Sequence, residues 1–140
     1  MASRSLSDLD PKPRELCMRW IDACKKAGYE VLVYCTYRSK QEQDDLYRIG
    51  RDIPGKKVTN AKGGESYHQY RCAWDWVPLL GGKPQWNNED MYKRCAEIGE
   101  AMGIEWAGRW KRFREMAHFQ DSGGLTIADL LAGKRPEGWA

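Results

Sequence analysis

The chain has 140 residues, of which 41% are hydrophobic and 31% charged, as in a folded domain rather than a disordered chain. Its formal charge of +3 is too small to require a polyanionic partner. The first residues lack the apolar run of a signal peptide, and no stretch has the length of a membrane span. We therefore expect one domain over residues 1–140 that is made in the cytoplasm and does not insert into a membrane, with a lead-in at 1–9 and a tail at 133–140.

The five cysteines are odd in number and show no CxxC spacing, which excludes a thiolate zinc knuckle. Each lies among apolar residues. Because cysteine is one of the residues most often buried, we predict five buried free thiols. They are Cys17, Cys24, Cys35, Cys72 and Cys95.

The first part of the chain predicts a helix, a strand and a second helix. Residues 11–27 carry apolar side chains at three- to four-residue spacing, which is typical of a helix. The β-branched and aromatic run at 30–36 predicts a strand. Ser39 and Glu42 have the spacing of a capping box, which opens a helix that should end near Gly50.

Residues 51–65 show neither a helical nor a strand period and predict a long loop. The following elements are, in order, a strand (71–77), a turn region (79–86), a helix capped by Asn87 or Asn88, an extended piece (104–107), a strand (118–120) and a helix (126–131). The apolar stripe of the third helix is predicted to be Met91, Cys95, Ile98 and Met102. This order predicts an α+β fold, in which a small, mainly antiparallel sheet packs with about four helices.

Both histidines of the chain have a carboxylate at close spacing. Asp75 lies seven residues after His68, and Glu115 lies three residues before His118. A catalytic zinc ion usually takes three ligands from such residues and keeps a fourth position for water. No HExxH helix is present, which excludes the helical zinc proteases. Composition alone also allows both histidines to be ordinary surface or core residues.

Asp75 has a second feature that favours a metal. On the predicted strand its side chain shares a face with the small Ala73, which leaves room for an ion. Its neighbours Trp74 and Trp76 indicate a buried setting, where an unpaired carboxylate would be costly and a cation would supply the partner.

Three motifs, taken together, resemble the zinc peptidases that include D-Ala-D-Ala dipeptidases and carboxypeptidases. In this sequence the motifs are Tyr37-Arg38-Ser39, Ser66-x-His68-x-x-x-x-Ala73-x-Asp75 and Glu115-x-x-His118. The run from Gly103 to Gln120 is more similar to phage L-alanyl-D-glutamate endopeptidases, the endolysins that cut the stem peptide of peptidoglycan. The resemblance covers roughly residues 10–120, in the same order as the elements of that family.

The resemblance implies a role for five residues. His68, Asp75 and His118 match the ligands of one catalytic zinc ion, which would lie in a cleft at the sheet. Glu115 matches the general base. Arg38 matches the arginine that binds substrate and stabilises the developing oxyanion, a role that suits a fixed guanidinium.

Three further residues are candidates for substrate binding. Ser66 matches the motif serine and is expected to support the site or to contact substrate. Tyr67 is an aromatic that could form the wall of a cleft. Arg71 stands where the family motif usually has glycine. If that position needs a positive φ, arginine costs about 1 kcal/mol; otherwise Arg71 could line the cleft and bind a substrate carboxylate.

The resemblance implies a zinc-dependent endopeptidase that hydrolyses the L-Ala–D-Glu bond of the murein stem peptide, lyses the host cell and so acts as an antimicrobial. The alternative is a D-Ala-D-Ala carboxypeptidase or dipeptidase with the same zinc site. A distant alternative is a non-enzymatic module that binds cell wall or nucleic acid through the basic and aromatic run at 110–114. We expect a monomer without a nucleic-acid partner, held in the host cytoplasm until a separate membrane-permeabilising protein gives it access to murein.

Overall fold

Four α-helices and five strands lie within residues 2–136, which are the part of the chain that the computed structural model describes. The helices are α1 (Pro11–Lys26), α2 (Lys40–Arg48), α3 (Glu89–Glu100) and α4 (Ile127–Leu131). The strands are β1 (Glu30–Cys35), β2 (Ala73–Leu80), β3 (Lys83–Pro84), β4 (Glu105–Trp106) and β5 (His118–Gln120). The predicted α+β class is confirmed. None of the described helices is both long and apolar enough to cross a membrane.

The strands form one antiparallel sheet in the order β1-β2-β5-β4, and β3 pairs with the end of β2. The prediction of a turn region at 79–86 is therefore wrong in part, because the end of β2 and β3 form a small hairpin there. Gly81 and Gly82 form its turn with φ values of 57° and 77°. Two consecutive residues at positive φ are what a two-residue hairpin of this twist requires, and glycine adopts them without steric cost.

A group of aromatic side chains fills one face of the sheet. Trp74 and Trp76 of β2 and Phe119 of β5 are fully buried against Trp20 of α1. The ring of Trp20 lies 4.9 Å from that of Trp76 and 4.8 Å from that of Phe119, both edge to face. Because side chains alternate along a strand, burying these rings turns the residues between them towards the opposite face.

The buried face of α3 differs from the predicted stripe. Its buried residues are Tyr92, Cys95, Ala96 and Gly99, whereas Met91, Ile98 and Met102 are only partly buried. The reason is close packing: a Cβ atom added at Gly99 would lie 2.8 Å from the Phe119 ring. Hydrophobicity alone selects the bulky residues of a helix, but here the Phe119 ring leaves no space for a side chain at position 99.

The predicted capping box of α2 is present. The Ser39 hydroxyl accepts from the Glu42 N–H at 3.0 Å, and the Glu42 carboxylate accepts from the Ser39 N–H at 2.9 Å. Arg38 thus lies at a defined junction between β1 and α2. The loop predicted at 51–65 has no helix or strand, and it is tied to α2 where the Gln43 amide donates to the carbonyl of Ala61 at 2.9 Å.

The five cysteines are buried and free, as predicted. Burial raises the pKa of the Cys17 and Cys72 thiols, so these two remain protonated at neutral pH. They pack as small apolar side chains.

Arg71 has a left-handed backbone, with φ 60° and ψ 33°, at the end of a short 3-10 helix (Tyr67–Tyr70). Its guanidinium donates to the Asp8 carbonyl at 3.0 Å, lies 3.8 Å from the Asp8 carboxylate and covers the Tyr37 ring at 3.9 Å. The position thus does need a positive φ. The expectation that Arg71 lines the cleft is corrected, because its side chain is held against the N-terminal segment.

Replacing Arg71 with glycine or alanine separates the backbone cost from the side-chain contacts. Both variants lose the guanidinium contacts, but only alanine keeps the Cβ that disfavours positive φ. We expect Arg71→Gly to be more stable than Arg71→Ala by about 1 kcal/mol in urea unfolding. Equal stability, or a more stable alanine variant, would show that the left-handed backbone carries no cost here.

Candidate metal centre

The sheet register brings a carboxylate and an imidazole together. Asp75 of β2 and His118 of β5 are direct cross-strand partners, so their side chains project from the same face. On the other side of β2, Cys35 of β1 is the partner of Asp75. The three residues form a row across the face opposite the aromatic core.

His68 reaches this row from the 3-10 helix Tyr67–Tyr70, which Ser66 caps. The Ser66 hydroxyl accepts from the His68 N–H at 3.3 Å, and the Ser66 N–H donates to the Gln69 side chain at 3.0 Å. The Arg38 N–H donates to the His68 carbonyl at 3.3 Å. These bonds fix both sides of the turn, so the buried imidazole has a defined direction.

Two imidazole nitrogens converge on one carboxylate oxygen. His68 Nε2 and His118 Nδ1 each lie 3.2 Å from Asp75 Oδ1. Tetrahedral zinc with bonds of about 2.0–2.2 Å places its ligand atoms about 3.3–3.6 Å apart. Each nitrogen lies near that distance from Asp75 Oδ1, and the residues present form two possible metal groups that share Asp75: Cys35, His68 and Asp75, and Asp75, Glu115 and His118. The donor types at this cluster suit zinc. Glu115 lies beside it, with its carboxylate 3.8 Å from His118 Nδ1.

Hydrogen bonds on the far side of each ring leave the converging nitrogens free to bind a metal. His68 Nδ1 lies 2.8 Å from the Thr36 carbonyl, and His118 Nε2 lies 2.8 Å from Gln120 Oε1. Since both partners are acceptors, those nitrogens carry the hydrogen in a neutral ring. The lone pairs then lie on His68 Nε2 and His118 Nδ1, the two atoms that face Asp75.

Electrostatics within the cluster favour a charged pair when no metal is present. Burial disfavours a charged His68, but the charge and the hydrogen bond of Asp75 outweigh it and raise the pKa of His68 to about 10. Burial likewise opposes the ionised Asp75, yet His68 and His118 hold the pKa of that carboxyl well below its usual range. A proton on His68 thus occupies the lone pair that a metal would need.

Glu115 is the glutamate whose carboxylate lies at the cluster. Of the other glutamates of this region, Glu100 accepts from the Arg109 guanidinium at 3.0 Å, and Glu105 accepts from Ser122 at 2.8 Å. The Glu115 side chain is 59% exposed, so water and substrate can reach it. Position thus distinguishes Glu115 from its neighbours independently of the motif.

Arg38 borders the cluster on the side of α2. Its Nη2 lies 3.8 Å from Asp75 Oδ2 and donates to Cys35 Sγ at 3.4 Å. Its Nη1 donates to Gln43 Oε1 at 3.0 Å. Gln43 is 1% exposed, so a buried side chain holds the guanidinium in place.

The three predicted substrate-binding residues make contacts within the protein. Ser66 caps the turn that carries His68, which is the supporting role considered for it. The Tyr67 hydroxyl donates to the Leu125 carbonyl at 2.7 Å. Arg71 contacts Asp8, as described above. Among the described residues, none of these three side chains makes a polar contact with a side chain of the metal cluster.

Several contributors to the site were missed from the sequence. Thr36 acts through a backbone carbonyl, which residue type does not indicate. Gln120 follows His118 by two residues on a strand, so it shares the same face, and this spacing was an available signal. Trp110, by contrast, belongs to the basic and aromatic run that the sequence singled out, and its ring lies 5.6 Å from that of His118. Phe113 in the same run is 69% exposed.

Comparison with known proteins points to one family. Residues 59–121 match the family model described as D-alanyl-D-alanine carboxypeptidase. Over 123 residues the chain is 35% identical to the peptidoglycan L-alanyl-D-glutamate endopeptidase CwlK of Bacillus subtilis, covering 81% of this chain and 74% of that protein. It is 27% identical to the L-alanyl-D-glutamate peptidase of Listeria phage A118, covering 84% of this chain but only 41% of the phage protein.

Solved structures share the fold. The L-Ala D-Glu endopeptidase ChiX of Serratia marcescens superposes with a TM-score of 0.64 at 24% identity, over 93% of this chain and 92% of ChiX. The vancomycin resistance D,D-pentapeptidase VanY, from a VanB-type cassette and in complex with Zn(II), gives 0.62 at 16% identity, over 88% of this chain and 83% of VanY. At these identities the likeness is one of fold.

The proton on His68 predicts how the metal-free protein responds to pH. A raised pKa stabilises the fold fully below the unfolded value near 6.5, and this contribution is lost as pH rises towards about 10. With chelator present, we expect the free energy of unfolding to fall over that range by up to about 1.4 kcal/mol per pH unit. Urea unfolding at several pH values measures it.

Two controls belong to this measurement. Saturating zinc replaces the proton, so the fall should be much smaller in the metal-loaded protein. Asp75→Asn removes the carboxylate that raises the pKa of His68, so its metal-free form should lack the fall. A metal-free wild-type protein that keeps its stability between pH 7 and 9 would contradict the charged pair.

Proposed function

Because the chain belongs to the family of metallopeptidases that includes the peptidoglycan L-alanyl-D-glutamate endopeptidases, we propose that it hydrolyses the L-Ala–D-Glu bond of the murein stem peptide. The observation that carries the proposal is the placement of His68, His118 and Glu115 around Asp75. That cluster lies in a chain 35% identical to an endopeptidase of this specificity.

We propose that His68 Nε2, Asp75 and His118 Nδ1 hold one zinc ion. Two imidazoles and a carboxylate are a usual ligand set for catalytic zinc, and three protein ligands leave a position for water. Each nitrogen lies 3.2 Å from Asp75 Oδ1, which is close to the spacing of neighbouring ligand atoms around tetrahedral zinc. When bound, the metal makes a water molecule more acidic and polarises a carbonyl group.

Glu115 is proposed as the general base. Its carboxylate lies 3.8 Å from His118 Nδ1, at the edge of the cluster, and its exposure lets it meet a water molecule. It accepts the proton of the attacking water and delivers it to the leaving amine, here the nitrogen of D-Glu. A carboxylate that moves a proton in both steps must stay free of a strong ion pair, and Glu115 makes none with a lysine or arginine among the described residues.

Arg38 is proposed to stabilise the oxyanion. Its guanidinium is held by Gln43 and Cys35 on the side of the cluster that Asp75 Oδ2 faces. A fixed cation stabilises the developing negative charge without reorganising during the reaction. The guanidinium also offers parallel N–H groups that can donate to a substrate carbonyl or carboxylate.

A D-Ala-D-Ala carboxypeptidase activity is the second candidate, because the family model that matches residues 59–121 has that description. Mass spectrometry of digested murein separates the two. Cleavage of L-Ala–D-Glu releases peptides that begin with D-Glu and leaves L-Ala on the glycan. The carboxypeptidase activity releases only D-Ala. We expect the D-Glu-terminated peptides, and release of D-Ala alone would overturn the endopeptidase proposal.

We also propose that the protein acts as a lysin. The similarity to a Listeria phage peptidase supports this role. As a lysin, the protein would be a monomer that is made in the host cytoplasm and reaches murein when a separate protein permeabilises the membrane. Added to cells from outside, it should then clear a suspension only where the murein has been made accessible.

Glu115→Gln tests the mechanism and the lysin role together. The amide cannot accept the proton of the water, so we expect turnover to fall about 100- to 10,000-fold. Zinc should still copurify, because Glu115 is not one of the three ligands. Peptide release from purified murein and clearing of permeabilised cells are the two measurements, and intact cells should stay turbid with either protein.

Glu100→Gln is the matched control. It makes the same chemical change at a glutamate that pairs with Arg109 away from the cluster, and it should keep full activity. If Glu115→Gln retains activity near the wild type, Glu115 is not the base. If no zinc binds and murein stays uncut when zinc is supplied, the peptidase proposal as a whole fails.

A further inference from the structure

A chain of hydrogen bonds leads from the sheet edge to His118. Gln120 of β5 is the cross-strand partner of Glu105 of β4, and its Nε2 donates to Glu105 Oε1 at 3.4 Å. Its Oε1 lies 2.8 Å from His118 Nε2. Ser122 holds the far end, where its N–H and hydroxyl each donate to the Glu105 carboxylate at 2.8 Å.

The direction of this chain follows from the carboxylate. Glu105 accepts from Ser122 and offers only acceptor atoms when ionised, so the Gln120 group that faces it must be the amide NH₂. The Gln120 carbonyl then faces His118, which requires a hydrogen on Nε2. The lone pair is left on Nδ1, 3.2 Å from Asp75 Oδ1.

We propose that Glu105 and Gln120 are positioning residues that fix the tautomer of His118, so that Nδ1 is the nitrogen offered to the metal. Without them a neutral imidazole could place its hydrogen on Nδ1 and donate it to Asp75. That tautomer also satisfies both side chains, but it blocks the lone pair that binds metal. The chain of hydrogen bonds through Glu105 and Gln120, here called the relay, disfavours this competing Nδ1–H tautomer.

Burial makes the relay selective. Gln120 is 4% exposed, Ser122 3% and His118 5%, so water is largely kept from substituting for either partner. A wrong amide orientation would face the NH₂ of Gln120 to the N–H of His118 and its carbonyl to the carboxylate. Two mismatched contacts in a buried setting are each costly, whereas in the observed orientation Gln120 is paired with both Glu105 and His118 Nε2.

The inference rests on the proposed metal site for its consequence, but its first test needs neither metal nor substrate. In the metal-free protein, ¹⁵N shifts of the His118 ring report which nitrogen carries the hydrogen, at a pH where a titration in the same experiment shows the ring to be neutral. We expect Nε2–H in the wild type. A wild-type ring that carries its hydrogen on Nδ1 would overturn the proposal directly.

Gln120→Leu removes the acceptor while keeping a similar volume. We expect Nδ1–H to become populated and the zinc affinity, measured by competition with a chelator, to fall about 10- to 100-fold. Retention of Nε2–H with an affinity within twofold of the wild type would also overturn the proposal. If Gln120→Leu does not fold, Glu105→Ala tests the same step, since the Gln120 amide is then free to turn, and a smaller shift in the same direction is expected.

Two further variants separate positioning from general packing. The exchange E105Q/Q120E keeps an acceptor for His118 and a donor for residue 120, so it should retain Nε2–H and recover most of the zinc affinity. Cys17→Ala removes a fully buried sulfur atom from α1, in the aromatic core on the opposite face of the sheet, and it should leave the tautomer and the zinc affinity unchanged. An equal loss of affinity in Cys17→Ala would assign the effect to packing.

The result is distinguishable from failure of the proposed function. If the wild type binds no zinc, the metal site is wrong, yet the ¹⁵N shifts still decide whether Gln120 sets the tautomer. If zinc binds and murein is cut, but Gln120→Leu has the His118 tautomer and zinc affinity of the wild type, the proposed function is retained and the positioning role of Gln120 is refuted.

Discussion

The site depends on the alternation of side chains along β2 and β5. Trp74 and Phe119 are cross-strand partners on the face that packs against α1, so Asp75 and His118, one residue along, are partners on the opposite face. A shift of one residue in either strand would turn a ligand towards the aromatic core and an aromatic ring towards the face of the site. The free energy of burying large rings therefore maintains the register that places the two ligands together.

Three positive or potentially positive groups surround the buried carboxylate. Asp75 contacts His68, His118 and Arg38, so its charge is compensated even in the metal-free state. There the compensation comes partly from the proton on His68. A metal would take the place of that proton and use the same lone pair, which links metal binding to pH. At the proposed metal site, a proton and a metal would therefore compete for the same lone pair.

Local signals in the sequence predicted most of the elements, whereas the family resemblance indicated the principal residues of the cluster. Capping at Ser39 and alternation around Asp75 involve neighbours in the chain, so they are readable without the fold. The contributions of Thr36 and Gln120 depend on which strand lies beside which, and on the direction of hydrogen bonds across them. The prediction of the buried face of α3 failed for a related reason, since only the position of Phe119 explains why Gly99 is required there.

Both ends of the turn that carries His68 are fixed, and this explains how an arginine is accommodated at positive φ. Ser66 caps the start, and Arg71 closes the end against Asp8 and Tyr37. Cation–π contact at a partly exposed site is worth about 0.5–1 kcal/mol, comparable with the cost of the left-handed backbone. A glycine would remove the cost but also the contact to Tyr37, which precedes Arg38. Arginine therefore couples the histidine turn to the strand end that presents the guanidinium.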